Sequence, residues 1–390
     1  MNVSKKAMEL IACAVFDKAI DLGKLENLSE GFWSNLYLFA NSHDMAHIVG
    51  YSLDRFVLPT VSVDERSLGN FKNKYMLSVV RFKRIEHELL AICDSLSRAQ
   101  IVHVPLKGAV MRSYYKEPWM RTSCDIDVLV HSEDVHRAAD ALVEALGYEK
   151  KSTGSHDISL FSPSGVHLEL HYDLIEDEIL PSADAILGDI WSFVSTGDGY
   201  TGELTKEMFV FYHVAHMAKH FVKGGGCGIR SVLDLKILNE RMLSLNDPKL
   251  NNMLAEGGLN KFATTMLALS DVWFGDGVGS EEIADVEQFL LKGGVGGTME
   301  NRVAVQQVKQ GGKFKYALSK IFIPYDVIKF QYPALQKHKW LMPACQVRRW
   351  FRIIFRGGVK RSARELSRNY AITDSEVSKT TKMLKELGLE

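Results

Sequence analysis

Cysteine is scarce in this 390-residue chain: Cys13, Cys93, Cys124, Cys227 and Cys345 are scattered, and no two form a CxxC pair. That spacing argues against a disulfide framework or a cysteine zinc ribbon and suits a reducing, cytoplasmic setting. No run of 18 apolar residues occurs, so no transmembrane span is expected. The one leader-like stretch, AMELIACAVF after Lys5 and Lys6, is broken by Glu9 and followed by Asp17, and reads as an amphipathic first helix. Proline is sparse at 9 residues, and 46% of the chain is hydrophobic, which excludes a disordered protein. Net charge is also lacking: at −1 it gives no global reason to expect nucleic-acid binding. The balance is a cancellation. Eight acidic residues and no lysine or arginine lie between Asp173 and Glu203, whereas ten basic residues face only Glu365 between Gln336 and Arg368.

The length suits two or three structural units. Residues 1–100 carry helical periodicity, with Leu10, Ile11, Val15, Phe16 and Ile20 near a 3.6 spacing. One long helix is expected over about 65–99, after a break at Pro59. At Ile101 the pattern changes. HVPLKG (103–108) is a short apolar run ending in glycine, AVMRSYY suggests a helix, and CDIDVLV (124–130) alternates like a strand. Ser132 is the expected N-cap of a helix with Val135, Ala138, Ala139, Leu142 and Leu146 on one face and Gly147 as its stop. HDISLF (156–161) and VHLELHY (166–172) flank a Pro-Ser-Gly turn and predict a hairpin. From Leu204 the helical pattern resumes. The expectation is an α+β chain: a helical region 1–100, a small mixed-sheet core 101–180, a helical domain 181–335 and a basic helical tail 336–390.

Three glycine clusters, GGGCG (224–228), GDGVG (275–279) and GGVGG (293–297), invite a nucleotide-loop reading. None follows an expected strand or ends in Gly-Lys-Ser/Thr, so they read as turns and caps between helices.

The chemistry gathers in the strand block. Asp125 and Asp127 flank Ile126 and so leave the same face of one strand. Adjacent carboxylates repel, and burial worsens this unless a cation lies between them. Hard oxygen ligands suit Mg²⁺ or Mn²⁺, which commonly share their shell with substrate phosphates. Glu169, in the apolar run VHLEL, supplies a third acid, and three such carboxylates on neighbouring strands suit a two-metal phosphoryl-transfer site. Upstream, Gly108 permits close approach of a phosphate to the backbone, and Lys107 and Arg121 can neutralise a triphosphate.

Taken together, PLKG (105–108), Arg121, DIDVLV (125–130), the Gly147-Tyr148 pair, LELHYDL (168–174), IRSVLDL (229–235) and YPALQKHKWLMP (332–343) resemble the bacterial uncharacterised nucleotidyltransferase family, of the polymerase-β-like superfamily. The resemblance implies a nucleotidyltransferase core with Asp125, Asp127 and Glu169 as catalytic, metal-binding carboxylates. It places Lys107, Gly108 and Arg121 beside the nucleotide, with NTP as co-substrate. There are two departures: Lys107-Gly108, a form the smaller family shares, stands where the wider superfamily has Gly-Ser or Gly-Gly, and Tyr172 stands where a tryptophan is expected. The acceptor is open among small molecules, RNA and protein.

The histidines offer a rival. His167, Glu169 and His171 share one strand face, but residues i and i+4 on a strand lie roughly 13 Å apart, too far for one zinc ion. His171 is therefore expected to orient Glu169 or its neighbours. His216 and His220 share a helical face without an HExxH motif and suit packing or contact with an anionic substrate; a zinc-dependent hydrolase using the histidines is disfavoured. Asp234 is expected to pair with Arg230, four residues before it. Residues 347–355 place Trp350, Phe351, Ile353, Ile354 and Phe355 beside Arg348, Arg349, Arg352 and Arg356. A helix with a solvated basic face is the favoured reading. The alternative function is a non-catalytic binding module that uses 347–368 to engage nucleic acid or a membrane surface. The tail 372–390 resembles a helix-turn-helix without identifiable base-contacting residues.

Overall fold

The computed structural model describes every residue except Met1, 26–27, Glu30, 59–60, 176–178, Pro333 and 356–358. The expected break at Pro59, the side chain of Arg356 and the glycine pair 357–358 lie outside the described residues.

Alternation of side chains builds the central sheet. Its five strands are β1 (His103–Pro105), β2 (Asp125–Val130), β3 (Glu149–Thr153), β4 (Asp157–Phe161) and β5 (His167–His171). Their spatial order is β1-β2-β5-β4-β3. β2 and β5 run parallel and the other neighbours antiparallel, so the sheet is mixed. The even positions Ile126, Val128, Val130, Leu168 and Leu170 share one face with Ile158 and Leu160, all at most 2% exposed. They pack against Val135, Ala138, Ala139 and Leu142 of the helix Val135–Leu146, and against Ile85, Ile92 and Leu96 of the long helix Glu65–Arg98. Each such side chain contributes about 1.5–3 kcal/mol by leaving water. The opposite face carries Asp125, Asp127, His167, Glu169 and His171.

Both helices match the expected patterns. Asp64 caps the long one through Ser67 N, and Gly147, at φ 68°, stops the short one. Ser132 does not cap. The N-cap position falls to Asp134, which makes no capping hydrogen bond because its Oδ1 takes the Arg137 guanidinium at 2.8 Å. Two further elements were not legible in the pattern. β3 is EKKST, exposed at every position. A two-residue ribbon, β6 (Val194–Ser195) with β7 (Glu203–Leu204), forms a second small sheet whose connecting loop bonds to His103 of β1.

The remaining chain is helical around a second core, in which Leu10 and Ile11 meet Phe211, Phe221, Leu233 and Phe262. The glycine clusters are structural. Gly225 caps the helix Lys206–Gly224 at φ 77°, and a Cβ there would lie 2.3 Å from Arg302 N. A Cβ on Gly297 would lie 2.4 Å from the Gly224 carbonyl oxygen, so two of the clusters pack backbone to backbone. In the helix Met342–Phe355, Arg349 is buried and donates to the carbonyls of Ile321 and Lys320, whereas Val347, Phe351, Ile354 and Phe355 are exposed. Met383 and Leu384 of the last helix, Asp374–Glu386, join the second core. Among the described residues no helix is long and apolar enough to cross a membrane.

Candidate active site

The parallel register of β2 and β5 sets the site: Asp125 lies opposite His167 and Asp127 opposite Glu169. Neighbouring strands lie about 4.7–4.9 Å apart, so the paired side chains stand side by side. Asp127 is buried at 4% exposure, while Asp125 and Glu169 are half-buried.

A lysine and a histidine hold Asp127. Lys107 Nζ and His171 Nε2 reach the same oxygen, Oδ1, at 2.8 and 2.9 Å. His171 Nε2 also lies 3.4 Å from Glu169 Oε2, so this histidine joins the two carboxylates. Lys107 reaches inward from a turn in which its own φ is 44°, a left-handed conformation that costs a non-glycine residue about 1–3 kcal/mol. The turn is fixed from behind: Arg112 donates to the Gly108 carbonyl at 2.8 Å and to Ser123 Oγ at 3.1 Å. A Cβ on Gly108 would come within 3.2 Å of Ser123 Cβ, which explains the glycine.

The electrostatics divide the carboxylates. Burial pushes the Asp127 carboxyl up, but Lys107 and His171 outweigh it and hold it far below the usual range. The hydrogen bond from His171 is the main cause that lowers Glu169. Asp125 is raised, by burial and then by its acidic neighbours Asp127 and Glu169. Repulsion adds to burial at Asp125.

The ligand atoms fall into two groups, each with all members within 4.8 Å: Asp125, His167 and Glu169, and Asp127, Glu169 and His171. The two histidines belong to different groups, in keeping with their span along β5. The donor set, mainly carboxylate oxygen with Asp125 raised by burial and its acidic neighbours, fits a divalent cation.

Behind Lys107 opens a cavity of about 190 Å³ lined by Lys107, Arg121, Tyr212, His216, His220 and Arg230 among others. Arg121 stands at its wall, and its Nε reaches both oxygens of Asp234 at 2.8 Å. Tyr115 OH donates to the same carboxylate at 2.6 Å. Asp234 therefore does not pair with Arg230 as the i, i+4 spacing suggested. The Arg230 guanidinium turns to Asp44 Oδ2 at 3.1 Å, an acceptor that Thr122 also engages. His216 and His220 meet Nε2 to Nε2 at 3.2 Å in the same cavity. Burial, then Lys107 and His220, push His216 well below its ordinary pKa, so it is neutral there. His213 instead lies against the Ser231 carbonyl. Asp44, Tyr115, Arg112 and Ser159 carried no signal in the sequence; Asp44 and Tyr115 act through partners more than 70 positions away.

A mixed sheet with an Asp-x-Asp strand, a third acid on its parallel neighbour and a cation-rich cavity beside them is the architecture of a nucleotidyltransferase. The family model "Uncharacterised nucleotidyltransferase" matches residues 29–275, and the chain belongs to that family. The matched span contains every site residue named above. No curated protein and no solved structure shows significant similarity to the chain.

Proposed function

We propose that the protein transfers the nucleoside monophosphate of an NTP to an acceptor hydroxyl, with Mg²⁺ or Mn²⁺ on Asp125, Asp127 and Glu169. The observation that carries this is the cluster itself: a buried Asp127, a cross-strand Glu169 and a repelled Asp125, next to a cavity walled by Lys107, Arg121 and Arg230. Lys107 and His171 use only Oδ1 of Asp127 and leave Oδ2 to another partner. When bound, the divalent ion supplies positive charge against that developing on the transferred and leaving phosphates.

The chain's own residues do the rest. Lys107, Arg121 and Arg230 attract and orient the triphosphate, and Gly108 lets it approach the backbone. The acceptor oxygen bonds to the α-phosphorus as the α–β bridge breaks and pyrophosphate leaves. The acceptor proton passes to Glu169, the more open carboxylate of the Asp127–Glu169 pair.

The test is a thermal-shift and transfer panel with the four NTPs and either ion. Saturation at 100 times Kd stabilises the wild type by about 2.7 kcal/mol, and both Asp125→Asn and Asp127→Asn abolish transfer. If no NTP shifts the wild type and Asp125→Asn leaves metal binding unchanged, the proposal is wrong.

A further inference from the structure

The two histidines of β5 are held in different ways. His171 is 2% exposed, and its Nε2 is committed to Asp127 and Glu169. His167 is half-buried and lies opposite Asp125. Its ring is fixed from two sides by β4. Phe161 stacks on it, with centroids 4.6 Å apart and planes at 17°. Ser159 Oγ lies 2.7 Å from Nε2. The other nitrogen, Nδ1, faces Glu169 Oε1 at 4.0 Å.

That is the way a metal-binding imidazole is normally prepared. One ring nitrogen donates its proton to a fixed acceptor, which sets the tautomer and leaves the other nitrogen's lone pair directed at the ion. With the proton on Nε2 and Ser159 Oγ accepting it, Nδ1 presents a lone pair to the space it shares with Asp125 and Glu169, where all three ligand atoms lie within 4.8 Å. Nitrogen changes which ion such a site prefers. Mg²⁺ demands near-octahedral oxygen coordination and sheds water reluctantly, whereas imidazole suits transition metals better.

We propose that His167 supplies a nitrogen ligand to a cation site formed with Asp125 and Glu169, and that this site takes Mn²⁺ in preference to Mg²⁺. The inference rests on the nucleotidyltransferase reading and sharpens its metal requirement. His171 stays a hydrogen-bonding bridge within the buried Asp127 group and is not the nitrogen that meets the ion.

The test reads metal binding and needs no turnover. Full-length, chelator-treated protein is titrated with Mn²⁺ by electron paramagnetic resonance, with Mg²⁺ as competitor, and nitrogen coupling to bound Mn²⁺ is measured by pulsed methods. The wild type is expected to show directly coordinated histidine nitrogen. In His167→Asn, whose amide oxygen can stand near the Nδ1 position, that coupling disappears while an oxygen site survives. The Mn²⁺-over-Mg²⁺ preference then falls about tenfold or more, at least what loss of a partner behind a ligand costs in metal affinity. Ser159→Ala keeps the ligand but loosens it and lowers Mn²⁺ affinity less. Bound Mn²⁺ without nitrogen coupling in the wild type, or coupling that persists in His167→Asn, overturns this inference and leaves the proposed activity standing. Protein that binds neither Mn²⁺ nor Mg²⁺, with or without NTP, overturns both.

Discussion

Replacing Asp234 with asparagine keeps the shape of the side chain and removes its charge. Asp234 is 1% exposed at its side chain and Arg121 11%, so the change leaves a guanidinium buried without its counter-ion. Loss of one partner from a buried pair costs about 3–5 kcal/mol. A Coulomb estimate at 4 Å and an effective dielectric of 20 gives about 4 kcal/mol, in the same range. Asparagine still accepts from Tyr115 through its amide oxygen, so the hydroxyl adds little to the loss. For a chain of 390 residues about 4 kcal/mol lowers Tm by about 5 °C. Urea denaturation followed by tryptophan fluorescence, together with calorimetry, measures both quantities. The double variant Arg121→Met with Asp234→Asn removes the two charges together, keeps an acceptor for the Tyr115 hydroxyl, and is less destabilised than Asp234→Asn alone. It nevertheless binds NTP poorly, because the cavity has lost a guanidinium. An Asp234→Asn protein within about 1 kcal/mol of wild type, or a double variant as unstable as the single one, refutes the argument.

Gly225→Ala introduces a Cβ 2.3 Å from Arg302 N at a φ of +77°, so left-handed strain and overpacking combine to about 3 kcal/mol by urea unfolding; Gly279→Ala, with nothing within 4 Å, is the neutral control. Glu365 gives a pH signature. Burial pushes its carboxyl up, but the Tyr316 hydroxyl and the Lys320 ammonium hold it below the ordinary value of 4.5. The stability it adds is therefore complete above pH 4.5 and lost as pH falls through the lower folded value. The Tm difference between wild type and Glu365→Gln is expected to be level from pH 7 to 5 and to shrink below 4.5; a difference that grows in acid refutes the assignment.

β2 and β5 were legible because acids sit inside β-branched and leucine runs, where only a built site tolerates them. The helix Val135–Leu146 was legible from its apolar stripe and the glycine that ends it. β3 was not, since EKKST is fully exposed and carries no burial pattern; the β4 edge alone makes it a strand. The pairing of Asp234 failed for a different reason. Spacing along a helix names Arg230, but the partner that wins is Arg121, 113 positions away, brought there by tertiary packing. His171 was expected to orient Glu169 or its neighbours; it lies 3.4 Å from Glu169 and 2.9 Å from Asp127.

Parity along β2 and β5 has an evolutionary consequence. In both strands the even-numbered residues hold the sheet to its helices, while Asp125, Asp127, His167, Glu169 and His171 are all odd. Selection for stability and selection for chemistry therefore act on interleaved positions of the same short segments without competing for any one of them. A lineage can exchange the residue at 167 without disturbing Leu168 beside it. A single-residue insertion inside β2 is a different matter: it inverts the parity of everything beyond it, burying acid and exposing core in one step. Drift in length is thereby confined to the turns, such as 162–166 between β4 and β5, and substitution is left as the only route by which these strands diversify.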